Sequence, residues 1–101
     1  MKSLYEFHPV PGLPDITITR LGCVRYRGNP RATSLSKNRL VLTAGGTTYS
    51  VARLVGRTFC PDYSEDRVAA YLDGNPENVR PSNLRWLTRN AASLGYHKRK
   101  P

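Results

Sequence analysis

The hydrophobic period of this chain changes at Ser50, and that switch limits the folds open to it. Upstream, apolar residues recur at every second position in short runs broken by Pro and Gly, the pattern of half-buried strands. Downstream, Val51, Leu54, Val55 and Phe59 fall at i, i+3, i+4 and i+8, one stripe of a helix, and Ser50 supplies an oxygen for its first-turn N–H groups. With 101 residues there is room for one hydrophobic core. The expected architecture is therefore a small single α+β domain: N-terminal β-hairpins, a helix, then a further hairpin and helix.

Individual stretches sharpen this outline. "LYEFHPVPGLPD" alternates and then meets three prolines, which marks an edge or irregular segment. In "ITITRLGCVRYRGNP", Ile16, Ile18, Val24 and Tyr26 keep period two around a Leu-Gly bend, predicting a hairpin with Arg25 and Arg27 on one outer strand face. The stretch "RGNPRATSLSKN" reads as a polar loop, and "RLVLTAGGTTYSV" as a second hairpin turning at Gly45-Gly46. After the helix, "CPDYSED" is a loop whose Asp62, Glu65 and Asp66 face solvent. "VAAYLD" is a strand into the Asp73-Gly74 turn, "PENVRPSN" is turn chemistry and "LRWLT" is the return strand, with Trp86 in the core. Thr88 is positioned to cap a final short helix, "RNAASLGYHK".

Sixteen Lys+Arg against seven Asp+Glu give a net charge of +9, which points to a polyanionic partner, nucleic acid first. The charge is spread over the chain: residues 1–50 carry seven basic and two acidic groups, and 51–101 carry nine and five. Two cysteines without Cys-x-x-Cys spacing read as reduced and packed, and Cys23, Cys60, His8 and His97 lack the spacing of a zinc site. No apolar run reaches the ~18 residues of a membrane span, so no membrane partner is expected and a cytoplasmic location is, in a host cell if the chain is phage-encoded.

A family resemblance adds to this reading. "VARLVGRTF" followed by "YLDGNPENVRPSNLRWLT" resembles the HNH domain of phage and intron-encoded homing endonucleases, whose typical form runs His-Arg-Leu-Val-Ala-x-x-Phe, His-Ile-Asp-Gly-Asn and Asn-Leu-x-Trp-Val-Thr. "FHPVPGLPDITITRLGCVRYRG" is similar to the short module that precedes many such domains, so the resemblance extends from about Phe7 to about Gly95. It implies a ββα unit around one divalent cation, with a basic β-rich module over residues 1–49 and the HNH-like region with a basic tail over 50–101, together one compact unit. In the family a histidine is the general base on water, an acidic neighbour binds the metal and a downstream Asn or His completes the coordination. The base position maps to Tyr71, the acidic ligand to Ala70, the base-orienting asparagine to Asn83, and the second ligand near Ala92, two residues from Asn90. The histidine that often opens the preceding helix maps to Ala52. Tyr71, Asp73, Asn83 and Asn90 are thus the relic of the HNH site, with no catalytic residue, metal or other cofactor expected.

The expected function is binding of nucleic acid, double-stranded DNA by resemblance, without hydrolysis. Its footprint is assigned to Arg20, Arg25, Arg27, Arg31, Lys37, Arg39, Arg80, Arg85 and Arg89, with Lys98, Arg99 and Lys100 in the tail. Phosphate attraction does not separate RNA from DNA, and Tyr26, Tyr49 and Tyr63 are too scattered in sequence to argue stacking. A second reading is a phage-type regulator or inhibitor whose positive face docks on an acidic surface of a host protein. A third is an active endonuclease with a rearranged site built from Asp73, Glu77 or Asn90.

Overall fold

Three turns, each with two successive residues in the left-handed region, organise the N-terminal half: Arg27-Gly28 (φ 52° and 82°), Lys37-Asn38 (50° and 66°) and Gly45-Gly46 (58° and 80°). Two positive φ values in a row are what a type I′ turn requires, and its twist matches that of the strands it joins. The computed structural model describes residues 4–89. In it the first turn joins β3 (Val24–Tyr26) to β4 (Asn29–Arg31). The second joins β5 (Ser34–Ser36) to β6 (Arg39–Ala44), and the third joins β6 to β7 (Thr47–Ser50).

With β1 (His8–Val10) and β2 (Leu13–Ile18), these strands form a four-stranded antiparallel sheet in the order β1-β2-β3-β4 and a three-stranded sheet in the order β5-β6-β7. The proline-rich start is an edge only in part: Pro9 lies on edge strand β1, with a register irregularity between Pro9 and Val10, whereas Pro14 lies near the start of the inner strand β2. Ile16 and Ile18 of β2 pair with Tyr26 and Val24 of β3, so the expected period-two hairpin is present and its apolar set points into the core. The stretch expected to be a polar loop instead holds β4 and β5. All six of their residues are exposed, which leaves no apolar alternation to read.

Strand β7 passes without a loop into α1 (Val51–Phe59), where the Ser50 hydroxyl accepts from the Arg53 N–H at 3.4 Å. The helix buries Val51, Leu54 and Val55, each worth ~1.5–3 kcal/mol on transfer from water. It packs against β1, β2, β6 and β7 and against the last strand, β9. At Gly56 a Cβ would stand 2.4 Å from Trp86 Cζ2, so the missing side chain is the space the indole fills. The third sheet is the antiparallel pair β8 (Arg67–Tyr71) and β9 (Leu84–Thr88), joined by residues 72–83, which end in a 3-10 turn over Pro81–Asn83. Leu84 and Trp86 complete the core with Val79 from the connection. The final helix expected after Thr88 lies outside the described residues.

Candidate functional site

The β8–β9 connection is held by one side chain. Asn83 is buried, and its amide reaches back across the loop: Oδ1 accepts from the Asp73 N–H at 3.0 Å, and Nδ2 donates to Asp73 Oδ1 at 2.9 Å and to the Asn78 carbonyl at 2.8 Å. Asp73 in turn accepts from the Asn75 N–H at 2.8 Å and from Asn78 Nδ2 at 2.9 Å. Hydrogen bonds from Asn78, the Asn75 backbone and Asn83 hold the Asp73 carboxyl below its ordinary pKa. Both carboxylate oxygens are therefore already engaged within the loop. The Asn75 and Asn78 side chains cap the Glu77 and Arg80 N–H groups at 3.0 and 3.4 Å, so the Asx-rich composition of this segment is its hydrogen-bond supply.

On β8, Ala70 is buried and lies directly opposite Arg85, while Tyr71 lies opposite Leu84. Burial raises the Tyr71 phenol above its usual pKa, and the positive fields of Arg39 and Arg53 only partly offset this. Arg53, which the sequence reading did not select, donates to the Arg67 carbonyl at 3.0 Å and lies 5.8 Å from the Trp86 ring centroid. The surroundings of positions 70 and 71 are thus cationic. Ala52 is 2 % exposed, on the buried side of α1.

The basic residues divide by environment. Arg25, Arg27, Arg31, Lys37, Arg39, Arg80, Arg85 and Arg89 are exposed. Arg20 is half-buried, lying 4.5 Å from the Phe59 ring centroid with Nη1 3.4 Å from His8 Nε2, so its guanidinium is used internally. Arg25 and Arg27 do not share a strand face as expected. Arg25 is on β3, opposite Thr17 and Pro30 and 4.0 Å from the Phe7 ring centroid, whereas Arg27 is in the turn, its Nε 3.4 Å from Asp15 Oδ2. Arg31 pairs with Val24 and therefore projects to the other side of the sheet from Arg25. Residues Asn90, His97, Lys98, Arg99 and Lys100 lie outside the described set.

Among the other expected features, Asp62, Glu65 and Asp66 are exposed, and Glu65 pairs with Arg57 at 2.7 Å. Both described cysteines are free, but Cys23 is exposed rather than packed. Cys60 is half-buried, and burial raises its thiol above the usual range. Trp86 is 2 % exposed, as a core residue should be, yet its buried indole N–H makes no hydrogen bond within the described residues.

No family model matches the chain. The DNA endonuclease I-HmuI of Bacillus phage SP01 is 46% identical to it over 43 residues, 43% of this chain and 25% of that protein. A solved structure described as DNA binding and cleavage by the HNH homing endonuclease I-HmuI superposes with a TM-score of 0.75 at 29% identity, over 93% of this chain and 59% of that one. The chain is HNH homing-endonuclease-like. The match spans about a quarter of the length of the curated relative and 59% of the solved chain. The α+β architecture of the HNH-like chain is the one expected from its sequence. Among its described residues no three His, Cys, Asp or Glu side chains come together as a group able to hold a metal ion. No helix among them is long and apolar enough to cross a membrane.

Proposed function

We propose that this HNH-like chain binds nucleic acid, with double-stranded DNA as its ligand, and does not hydrolyse it. The observation that carries the reading is the β8 hairpin: its frame is intact, with Asn83 bonded across the loop, but the positions where the family holds its acidic ligand and base are Ala70 and Tyr71. A hard divalent cation is normally held by one or two carboxylates. Here a methyl group faces Arg85, a phenol stands in the field of Arg39 and Arg53, and the Asp73 carboxylate spends its oxygens on the loop. The described donors do not fit such an ion. A phenol raised above a pKa of ~10 is protonated at neutral pH and takes no proton from water.

Binding is supported by the net charge of +9 and by the exposed arginines of the three sheets. The test pairs two assays on the same preparation. Band shifts with a duplex, a single strand and an RNA at two salt concentrations should give duplex binding that weakens steeply with salt. Incubation with supercoiled plasmid and Mg²⁺ or Mn²⁺ should leave the plasmid intact. Nicking that is stoichiometric with the protein and abolished by chelation overturns the non-catalytic reading. Duplex binding no tighter than ~10⁻⁴ M at moderate salt, with a nuclease-resistant pull-down of a host protein, would transfer the charge to the protein-docking reading.

A further inference from the structure

A cleft of about 120 Å³ is lined by residues of both larger sheets: Pro14, Asp15 and Ile16 of β2, Tyr26 of β3, Gly45 of the β6–β7 turn and Tyr49 of β7. The tyrosines are far apart in sequence, but the fold brings Tyr26 and Tyr49 to one opening, while Tyr63 packs against Trp86 at 4.8 Å. We propose that this cleft accepts a single unpaired nucleobase of the bound DNA, with Arg27 and Arg31 at its rim on the adjoining phosphates. The inference rests on the nucleic-acid reading above and adds a base-holding site to it.

Size, chemistry and charge agree on this occupant. The cleft is well below the ~300–1,000 Å³ of sites for drug-sized ligands, so it takes one ring system. Its polar groups are those a base edge needs. A phenol hydroxyl both donates and accepts, and Asp15 uses Oδ2 on Arg27 at 3.4 Å, leaving Oδ1 as an acceptor for an exocyclic amino group. Aromatic side chains stack on any base, and an unpaired one costs least to extrude from a duplex. The guanidiniums of Arg27 and Arg31 lie 5.3 and 5.6 Å from the Tyr26 ring centroid, which puts positive charge where the strand entering the cleft carries its phosphates. Gly45 keeps the opening in this shape: a Cβ there would be 2.7 Å from the Tyr26 hydroxyl, so any side chain would displace the ring.

The experiment compares affinity for a perfect duplex with that for the same duplex carrying one bulged cytosine or one bulged thymine. A base–aromatic contact implies about fivefold or tighter binding of the bulged cytosine duplex, with thymine weaker because it offers Asp15 no amino group. Tyr49→Ala should abolish the preference while perfect-duplex binding persists. Asp15→Asn, an exposed substitution, should narrow the cytosine–thymine difference; because it also removes a negative charge, only ratios between duplexes are compared. Equal binding of all three duplexes overturns this inference and leaves the DNA reading standing, and so does a preference that both variants retain. Failure to bind any of the three overturns the DNA reading itself.

Discussion

Asn83→Ala separates a residue kept for catalysis from one kept for architecture. The side chain is 8 % exposed and makes three hydrogen bonds, to the Asp73 N–H, Asp73 Oδ1 and the Asn78 carbonyl. At ~0.5–1.5 kcal/mol net for each, their loss costs about 3 kcal/mol in total. Water at the exposed Asp73 reduces this, while leaving the partly buried Asn78 carbonyl without its partner adds to it. For a domain of this size, 1 kcal/mol moves Tm by ~4–8 °C, so the variant should melt ~12–24 °C below the parent. Thermal melts followed by circular dichroism, with a urea titration to give the free energy directly, read both numbers. A loss under ~1 kcal/mol would refute the argument that this amide holds the β8–β9 connection closed. A gain in stability would do so more sharply, because residues retained only for a reaction commonly cost the fold something.

Three other predictions follow from the same geometry. The folded-state pKa of Asp73 lies below its unfolded value, so its contribution to stability is present above pH ~4 and is lost as pH falls through the folded value; a carboxyl NMR titration should find Asp73 below the ordinary aspartate midpoint, and Asp73→Asn should flatten that part of the acid profile. Gly56→Ala gains up to ~1 kcal/mol of helix propensity but drives a methyl group into Trp86 and Tyr63, costing ~1–3 kcal/mol or more, so it should lower the urea midpoint; an unchanged midpoint would contradict the packing described. If six to eight basic groups meet phosphates, log K should fall with log salt at a slope of roughly −5 to −7, and replacing exposed Arg80 or Arg85 by Gln should reduce that slope by about one, whereas a salt-independent affinity would exclude phosphate binding.

Features written in local pattern are legible in the sequence. The helix begins and ends where the stripe from Val51 to Phe59 and the Ser50 cap put it, and the return strand is "LRWLT" itself. Strands β4 and β5 were not legible, because strands exposed along their whole length carry no alternation, and the turn at Lys37-Asn38 lacks the glycine that would announce it. Charge could be counted but not located: Arg20 looked like its neighbours until the fold laid it on Phe59. The same limit hid the pairing of Tyr26 with Tyr49, 23 positions apart in sequence, since only the meeting of two sheets brings them together. The loop between Asp73 and Asn83 was half-legible. Its Asx residues promised turns, but that one buried amide would join both ends was a tertiary fact.

The passage of β7 straight into α1 at Ser50 also bears on how the molecule transmits force. A strand continued by a helix without an intervening loop has no slack to absorb displacement. The helix packs in turn on β9, so β7, α1 and β9 are joined in series by one covalent junction and one packed face.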